Sequence, residues 1–273
     1  MPKEQFDINR CTVGGIVQKI WGRDNDIFLR LIFLPDPEKP NRYLTTRLPG
    51  GTVNGKLVSL QPGDRIRVSG YLSDEPYTET IREFLWDARK KKLQNDLGEK
   101  LEKVRVKRIG TRLDVLELER LKPDAQPTGA DVSLQGVIVK TWESGTDLAA
   151  RLGSYDPHTE IISNNGSGHR TGRKKWPRRK PHYITIRFLD GKADGQPVRL
   201  KKRNRIRLSG SLQIHFYKET LRDILIRAQA ADLIGELDGI DPDHVFAIRS
   251  SAYVVVNSAI VLASLGLPEA ETM

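Results

Sequence analysis

The feature that most limits the fold of this 273-residue chain is an internal repeat. Asp64-Arg-Ile-Arg-Val-Ser-Gly-Tyr-Leu72 returns as Asn204-Arg-Ile-Arg-Leu-Ser-Gly-Ser-Leu212, 140 residues later. The same offset carries Tyr77-Thr-Glu-Thr-Ile-Arg-Glu-Phe-Leu85 onto Tyr217-Lys-Glu-Thr-Leu-Arg-Asp-Ile-Leu225, and 11 of the 22 positions from 64 to 85 are identical. That density marks a duplication, so a fold for one half must also suit the other. Upstream, Gly14-Gly-Ile-Val-Gln-Lys-Ile-Trp21 matches Gln135-Gly-Val-Ile-Val-Lys-Thr-Trp142 at offset 121, and Ile27-Phe-Leu-Arg-Leu31 resembles Ile184-Thr-Ile-Arg-Phe188 at offset 157. These offsets predict about 36 extra residues in copy two between its first and second strands, and about 17 fewer before the Arg-Ile-Arg strand. Changes of that size belong in loops.

The matched blocks read as strands. Val13 to Trp21 and Val132 to Trp142 are rich in apolar and β-branched residues, and Arg65-Ile-Arg-Val68 and Arg205-Ile-Arg-Leu208 alternate polar with apolar at period two. Gln61-Pro-Gly-Asp64 is a turn signal. Gly70 and Gly210 inside strand patterns point to bulges or tight barrel bends. Five or so strands per copy predict a small five-stranded Greek-key barrel, made twice. The expected domains are residues 1–123 and 128–236, joined by Lys122-Pro-Asp-Ala-Gln-Pro-Thr-Gly129. The last strand of copy one is either Thr80 to Trp86 or, preferred here, Thr111 to Leu118 after a charged, partly helical loop from Asp87 to Lys103. A third segment, 237–273, is expected to form a C-terminal α-helix. Asp241-Pro242 would start it, Gly266 and Pro268 would stop it, and Val254, Val255, Ile260, Val261 and Leu265 would give it an apolar surface for the barrels or for a subunit interface. Residues 250–267 carry no charge, but their four serines and Asn257 argue against membrane insertion.

Charge is segregated. Lys and Arg outnumber Asp and Glu by 45 to 35, a net charge of +10. Residues 161–181 hold seven basic and no acidic residues, 196–207 hold six and none, and from Ala228 onward Arg249 faces seven acids. Such segregation suits a polyanion. The single Cys11 cannot form an internal disulfide, and no Cys/His zinc spacing is present. Together with an N-terminus lacking an apolar signal core, this leads to an expectation of a cytoplasmic protein without a cofactor. No phosphate loop, nucleophile elbow, zinc deaminase pattern or His-Glu-x-x-His motif occurs, so no enzyme is expected.

The first strand with its glycine and terminal Trp, followed by Leu57-Val-Ser-Leu-Gln-Pro-Gly-Asp-Arg-Ile-Arg-Val-Ser-Gly-Tyr-Leu72, resembles bacterial single-stranded DNA-binding proteins and their OB-fold relatives. The resemblance covers about half the chain. It implies two tandem OB-fold barrels in a mainly β protein, sequence-nonspecific binding of single-stranded DNA in replication, repair or recombination, and a homo-oligomer smaller than that of single-barrel members. That oligomer is expected to form through the C-terminal helix. The chain ends Leu267-Pro-Glu-Ala-Glu-Thr-Met273 instead of in the family's Gly/Gln-rich linker and acidic tip, so partner recruitment through such a tip is not expected. Two other readings stay open: an RNA-binding protein, and a scaffold whose barrels bind protein.

Such barrels bind strands across one sheet face, walled by the loops between strands 1–2 and 4–5. The expected 1–2 loop of copy two, 143–181, contains Arg170, Arg173, Lys174, Lys175, Trp176, Arg178, Arg179 and Lys180; the expected 4–5 loop of copy one carries Lys90, Lys91 and Lys92. Basic residues neutralise phosphates and aromatic rings stack on bases, which suits nonspecific strand binding. Trp21 and Trp142 end equivalent strands, as stacking platforms or as core. Tyr77 and Tyr217 recur near the strand 4–5 connection. Arg65, Arg67, Arg205 and Arg207 lie on the polar face of a strand, lining the groove or solvating the barrel's back. Phe28, Phe33 and Phe188 read as core.

Overall fold

The computed structural model describes residues 7–33, 42–95, 98–155, 161–162, 178–179, 181–237 and 239–264. Ten long strands come in two sets of five. Copy one contributes β1 (Asn9–Arg23), β2 (Asp26–Phe33), β3 (Arg42–Leu48), β4 (Arg65–Thr80) and β5 (Arg105–Arg120); copy two contributes β6 (Ala130–Ser144), β7 (Asp147–Ser154), β8 (His182–Phe188), β9 (Asn204–Thr220) and β10 (Phe246–Ser264). The chain divides into two compact units: residues 1–74, 111–213 and 253–273 form the first, and 75–110 with 214–252 the second.

The first unit contains both barrels. In copy one β1 pairs antiparallel with β2 and β4, β2 with β3, and β3 parallel with β5, which closes on β4. The cyclic order 1-2-3-5-4 defines an OB barrel, and copy two repeats it with β8 parallel to β10. Cys11, Val13, Leu29, Leu31, Phe33 and Leu44 are among the buried residues of copy one, as are Leu134, Ile138, Leu152, Ile186 and Phe188 in copy two. The first strands of the two barrels pair antiparallel, Asn9 opposite Leu134 through Val13 opposite Ala130, making one ten-stranded sheet. Closure explains the repeated glycine. A Cβ at Gly70 would collide with the Asp114 carbonyl of β5, and one at Gly210 with the Val255 carbonyl of β10. Each first strand also bulges at the same place, between Val17 and Lys19 and between Ile138 and Lys140.

Two expectations change, and one open alternative is decided. In the C-terminal segment Phe246–Ser264 is not a helix but β10, the fifth strand of the second barrel, while Leu265, Gly266 and Pro268 lie outside the described residues. Val254, Val255 and Val256 are buried there, so a charge-free β-branched run serves barrel closure. Asp241 caps only a turn, accepting from the Asp243 amide at 2.9 Å. An oligomer contact through a C-terminal helix is thereby removed. Second, the long insertion of copy two lies between its second and third strands, because Asp147–Ser154 is already β7. The true partner of β2 is β7, at offset 121, and β3 matches β8 at offset 140; the 19-residue difference is the insertion. Thr80 to Trp86 is not a strand but the start of α1 (Ile81–Asp87), and the last strand of copy one is β5, as preferred from sequence.

The second unit is built from residues 75–80 of β4, 105–110 of β5, 214–220 of β9 and 246–252 of β10 together with α1, α2 (Lys91–Asn95), α3 (Glu99–Glu102) and α4 (Leu221–Arg227). Capping boxes begin α1 and α4. Thr80 Oγ1 accepts from the Glu83 amide at 3.1 Å while the Glu83 carboxylate accepts from the Thr80 amide at 2.7 Å, and Thr220 with Asp223 repeats the pattern. Ile81, Phe84 and Leu85 share one core with Leu221, Ile224 and Leu225. Beside it Arg108 donates to Glu79 (2.7 Å) and to both oxygens of Glu219 (2.8 and 2.5 Å), and Arg249 donates to Glu79 (2.5 Å). Glu79 and Glu219 are repeat equivalents, as are Arg108 and Arg249, so each copy supplies one acid and one base.

Candidate nucleic-acid interface

The outer face of β1–β3 assembles aromatic and cationic side chains, of which the sequence reading weighs only Trp21 and, as core, Phe28; Phe28 lies on this outer face instead. Alternation turns Leu29, Leu31 and Phe33 into the barrel and leaves Phe28, Arg30 and Ile32 on the other face. Cross-strand register then sets Trp21 opposite Phe28, Lys19 opposite Arg30, Arg30 opposite Thr45, and Ile32 opposite Tyr43. The Trp21 and Phe28 rings stack at 5.7 Å with 12° between planes. Lys19 Nζ lies 6.0 Å from the Trp21 ring and the Arg30 guanidinium 5.9 Å from that of Tyr43. Among the described residues neither Lys19 nor Arg30 forms an ion pair with a carboxylate. At the margin Arg47 is neutralised by Asp26 at 2.6 Å. Desolvation pushes the Asp26 carboxyl up, but the Gly50 amide and Arg47 outweigh it and hold the carboxyl below its ordinary value. A turn of two left-handed residues, Asp24 (φ 50°) and Asn25 (φ 67°), joins β1 to β2 and fixes this register.

Copy two repeats the face with Lys140, Trp142, Arg151, Tyr183, Thr185 and Arg187 in the same register. The Arg151 guanidinium lies 5.7 Å from the Tyr183 ring. Here the cation is spoken for. The Asp74 carboxylate, at the barrel end of β4, accepts from Arg151 at 2.7 Å and from the amide and hydroxyl of Thr185 at 3.1 and 3.0 Å. Burial pushes the Asp74 carboxyl above its ordinary range, with Thr111, Arg151 and Thr185 pulling the other way. Arg187 is held by Asp147 at 3.6 Å and lies 4.4 Å from the Tyr253 ring, whereas Trp142 is exposed.

The arginines of the repeated Arg-Ile-Arg strand all have partners within the chain. Arg65 donates to the Ala125 carbonyl (2.8 Å), Arg67 to Glu119 (2.8 Å), Arg205 to Asp7 (2.6 Å) and Arg207 twice to Gln135 (3.0 and 2.8 Å). In the second unit Tyr77 is exposed, and half-buried Tyr217 stacks on His215 at 6.4 Å. Arg170, Arg173, Lys174, Lys175, Trp176 and Lys180 lie outside the described residues; Arg178 and Arg179 pair as backbone with Ile161 and Ile162.

Lys90, Lys91 and Lys92 are exposed around a surface concavity of about 680 Å³ in the second unit, which Trp86 and Arg89 also line. Trp86, missed in the sequence, is 61% exposed, with Lys91 Nζ 5.7 Å from its ring. The one acid among its described lining residues, Asp87, is paired with Arg249 at 2.5 Å. The equivalent turn in copy two keeps the same left-handed residue, Gln229 (φ 59°) for Arg89 (φ 55°), but offers Ile226 and Ala230 where copy one has Trp86 and Lys90. The fold thus tolerates this turn without its cations.

Among the described residues no group of three His, Cys, Asp or Glu side chains could hold a metal ion, and no helix is long and apolar enough to cross a membrane. By strand order and outer face this is a tandem OB-barrel protein with an aromatic and cationic sheet face. No family model matches the chain, and no curated protein does. Among solved structures, a deletion mutant of the single-stranded DNA binding protein from Thermus aquaticus aligns with a TM-score of 0.44 at 12% identity, covering 97% of this chain and 98% of that one. The wild-type protein from the same organism aligns at 0.36 and 12% identity, covering 77% and 87%.

Proposed function

We propose that this chain binds single-stranded DNA without sequence preference, on the outer face of β1–β3 of the first barrel, in support of replication, repair or recombination. The observation that carries the reading is the outer sheet face on which Trp21, Phe28 and Tyr43 interleave with Lys19 and Arg30. Rings stack on any unpaired base, and a duplex hides the base faces that such rings need. Unpaired cations neutralise phosphates and release counterions, whatever the sequence. Lys90–Lys92 with Trp86, and the basic loop 170–180, are further contacts in the same reading. Binding is the whole of the activity, and self-association belongs to the proposal as well.

The test is fluorescence anisotropy with labelled oligo-dT, matched duplex DNA and matched RNA across a salt series. Tight dT binding that weakens with salt, over weak duplex binding, is the expected result. RNA bound better than DNA would transfer the reading to RNA. Failure of all three at low salt would sink it.

A further inference from the structure

Repeat equivalence matches a cluster in the first barrel that meets no carboxylate among the described residues with one in the second that does. Arg30, Tyr43 and Thr45 correspond to Arg151, Tyr183 and Thr185, with the same cross-strand register and the same guanidinium-over-ring pairing at 5.9 and 5.7 Å. In the second barrel a carboxylate occupies the cluster. Asp74 Oδ2 takes one hydrogen bond from Arg151, one from the Thr185 amide and one from the Thr185 hydroxyl, and Oδ1 takes one from Thr111 at 2.6 Å. The Arg151 side chain is 20% exposed and that of Asp74 2%, so the anion is seated rather than passing. In the first barrel Arg30 is exposed and meets no carboxylate among the described residues. The residue 140 positions after Asp74 is Ile214, which has no charge to offer a cation.

We propose that Arg30, Thr45 and Tyr43 form a site for a backbone phosphate, and that Asp74 stands in for such a phosphate in the second barrel, closing the equivalent site to nucleic acid. A carboxylate and a phosphate both present oxygen acceptors to a guanidinium and a hydroxyl, so one donor cluster accepts either. The tyrosine ring holds the guanidinium in place from the side. The chain therefore engages a strand through one barrel face and uses the other internally. This inference rests on the proposed function, and its failure can be told apart from failure of that reading.

The experiment is oligo-dT binding across a salt series for the full chain and four variants, with phosphate titration followed by NMR as a readout independent of DNA. Arg30→Ala is expected to weaken binding and flatten the dependence of log K on log salt by roughly 0.7, the loss of one phosphate contact on a single strand. Arg151→Ala is expected to leave both unchanged. Asp74→Asn, which keeps the shape and removes the charge, is expected to tighten binding several-fold and steepen the slope by roughly 0.7. Asp74→Asn with Arg151→Ala is expected to lose that gain. Inorganic phosphate should shift the Thr45 amide resonance in the parent protein and not in Arg30→Ala. If Arg151→Ala weakens binding as Arg30→Ala does, or if the Asp74→Asn gain persists without Arg151, the proposal is overturned. If oligo-dT fails to bind while phosphate still shifts Thr45 through Arg30, the anion site stands and only the nucleic-acid reading falls.

Discussion

At the residue scale, the side chains that matter most are those that meet only rings or cations among the described residues, and those whose ionic partners are fully supplied. Trp21 and Arg30 belong to the first kind. Trp21→Ala should cost oligo-dT affinity corresponding to roughly 1–3 kcal/mol for one stacked base, read as a rise in Kd by anisotropy. An equal loss of affinity in Arg65→Ala would instead put the strand on the barrel's back. Arg108 and Glu219 belong to the second kind. Breaking a buried pair strands its partner, so Arg108→Met should lower stability by roughly 3–5 kcal/mol in urea unfolding. Burial pushes the Glu219 carboxyl up, but Arg108, Arg227 and Arg249 outweigh it and hold it below the usual carboxylate value. A lowered folded-state value means that this stability is complete above the ordinary glutamate range and is lost as pH falls through the lowered value. Glu219→Gln should therefore lessen the acid dependence of stability; an unchanged acid limb would show that other carboxylates set it. Burial, with Asp131 adding to it, pushes the Cys11 thiol up to about 12, so a thiol reagent should label Cys11 only on unfolding.

At the scale of elements, much was legible and the errors have physical causes. Period-two alternation and the in-strand glycines pointed to barrels because closure needs both, and Gly70→Ala or Gly210→Ala should leave little folded protein on expression. The switch from β4 to α1 was not legible, since Thr-Ile-Arg-Glu-Phe-Leu has residues either element accepts; the capping box decides it. Thr80→Ala and Thr220→Ala should each cost about 1 kcal/mol in thermal unfolding, and no loss would mean the shared core alone holds these short helices. The segment 246–264 looked helical because Asp241-Pro242 imitates a helix start, and a charge-free run has no periodicity to oppose it. Its β-branched content was the signal against. Matching β2 to β8, Ile27-Phe-Leu-Arg30 against Ile184-Thr-Ile-Arg187, misplaced the insertion and hid the equivalence of the two outer sheet faces. Extending the 140 offset back to Tyr43, Thr45 and Arg47 against Tyr183, Thr185 and Arg187 would have exposed it.

At the scale of the whole molecule, the copies have the same barrel topology and have diverged in what their faces meet. Among the described residues Arg30 of the first face meets no carboxylate, whereas Arg151 of the second is engaged by Asp74. One strand per chain is the expected stoichiometry for a short oligo-dT, measured by titration at concentrations far above Kd. Two strands per chain would mean the second face opens on contact.

The network of Glu79, Arg108, Glu219 and Arg249 has a consequence for ancestry. Each copy pairs its own acid and base, but Arg108–Glu219 and Arg249–Glu79 cross between copies, and the helical core draws residues from both. A half-length chain bearing one copy would reproduce those crossed pairs by meeting a second molecule of itself. The twofold pattern still visible in these four residues is what a fused pair of once separate, identical subunits would leave behind.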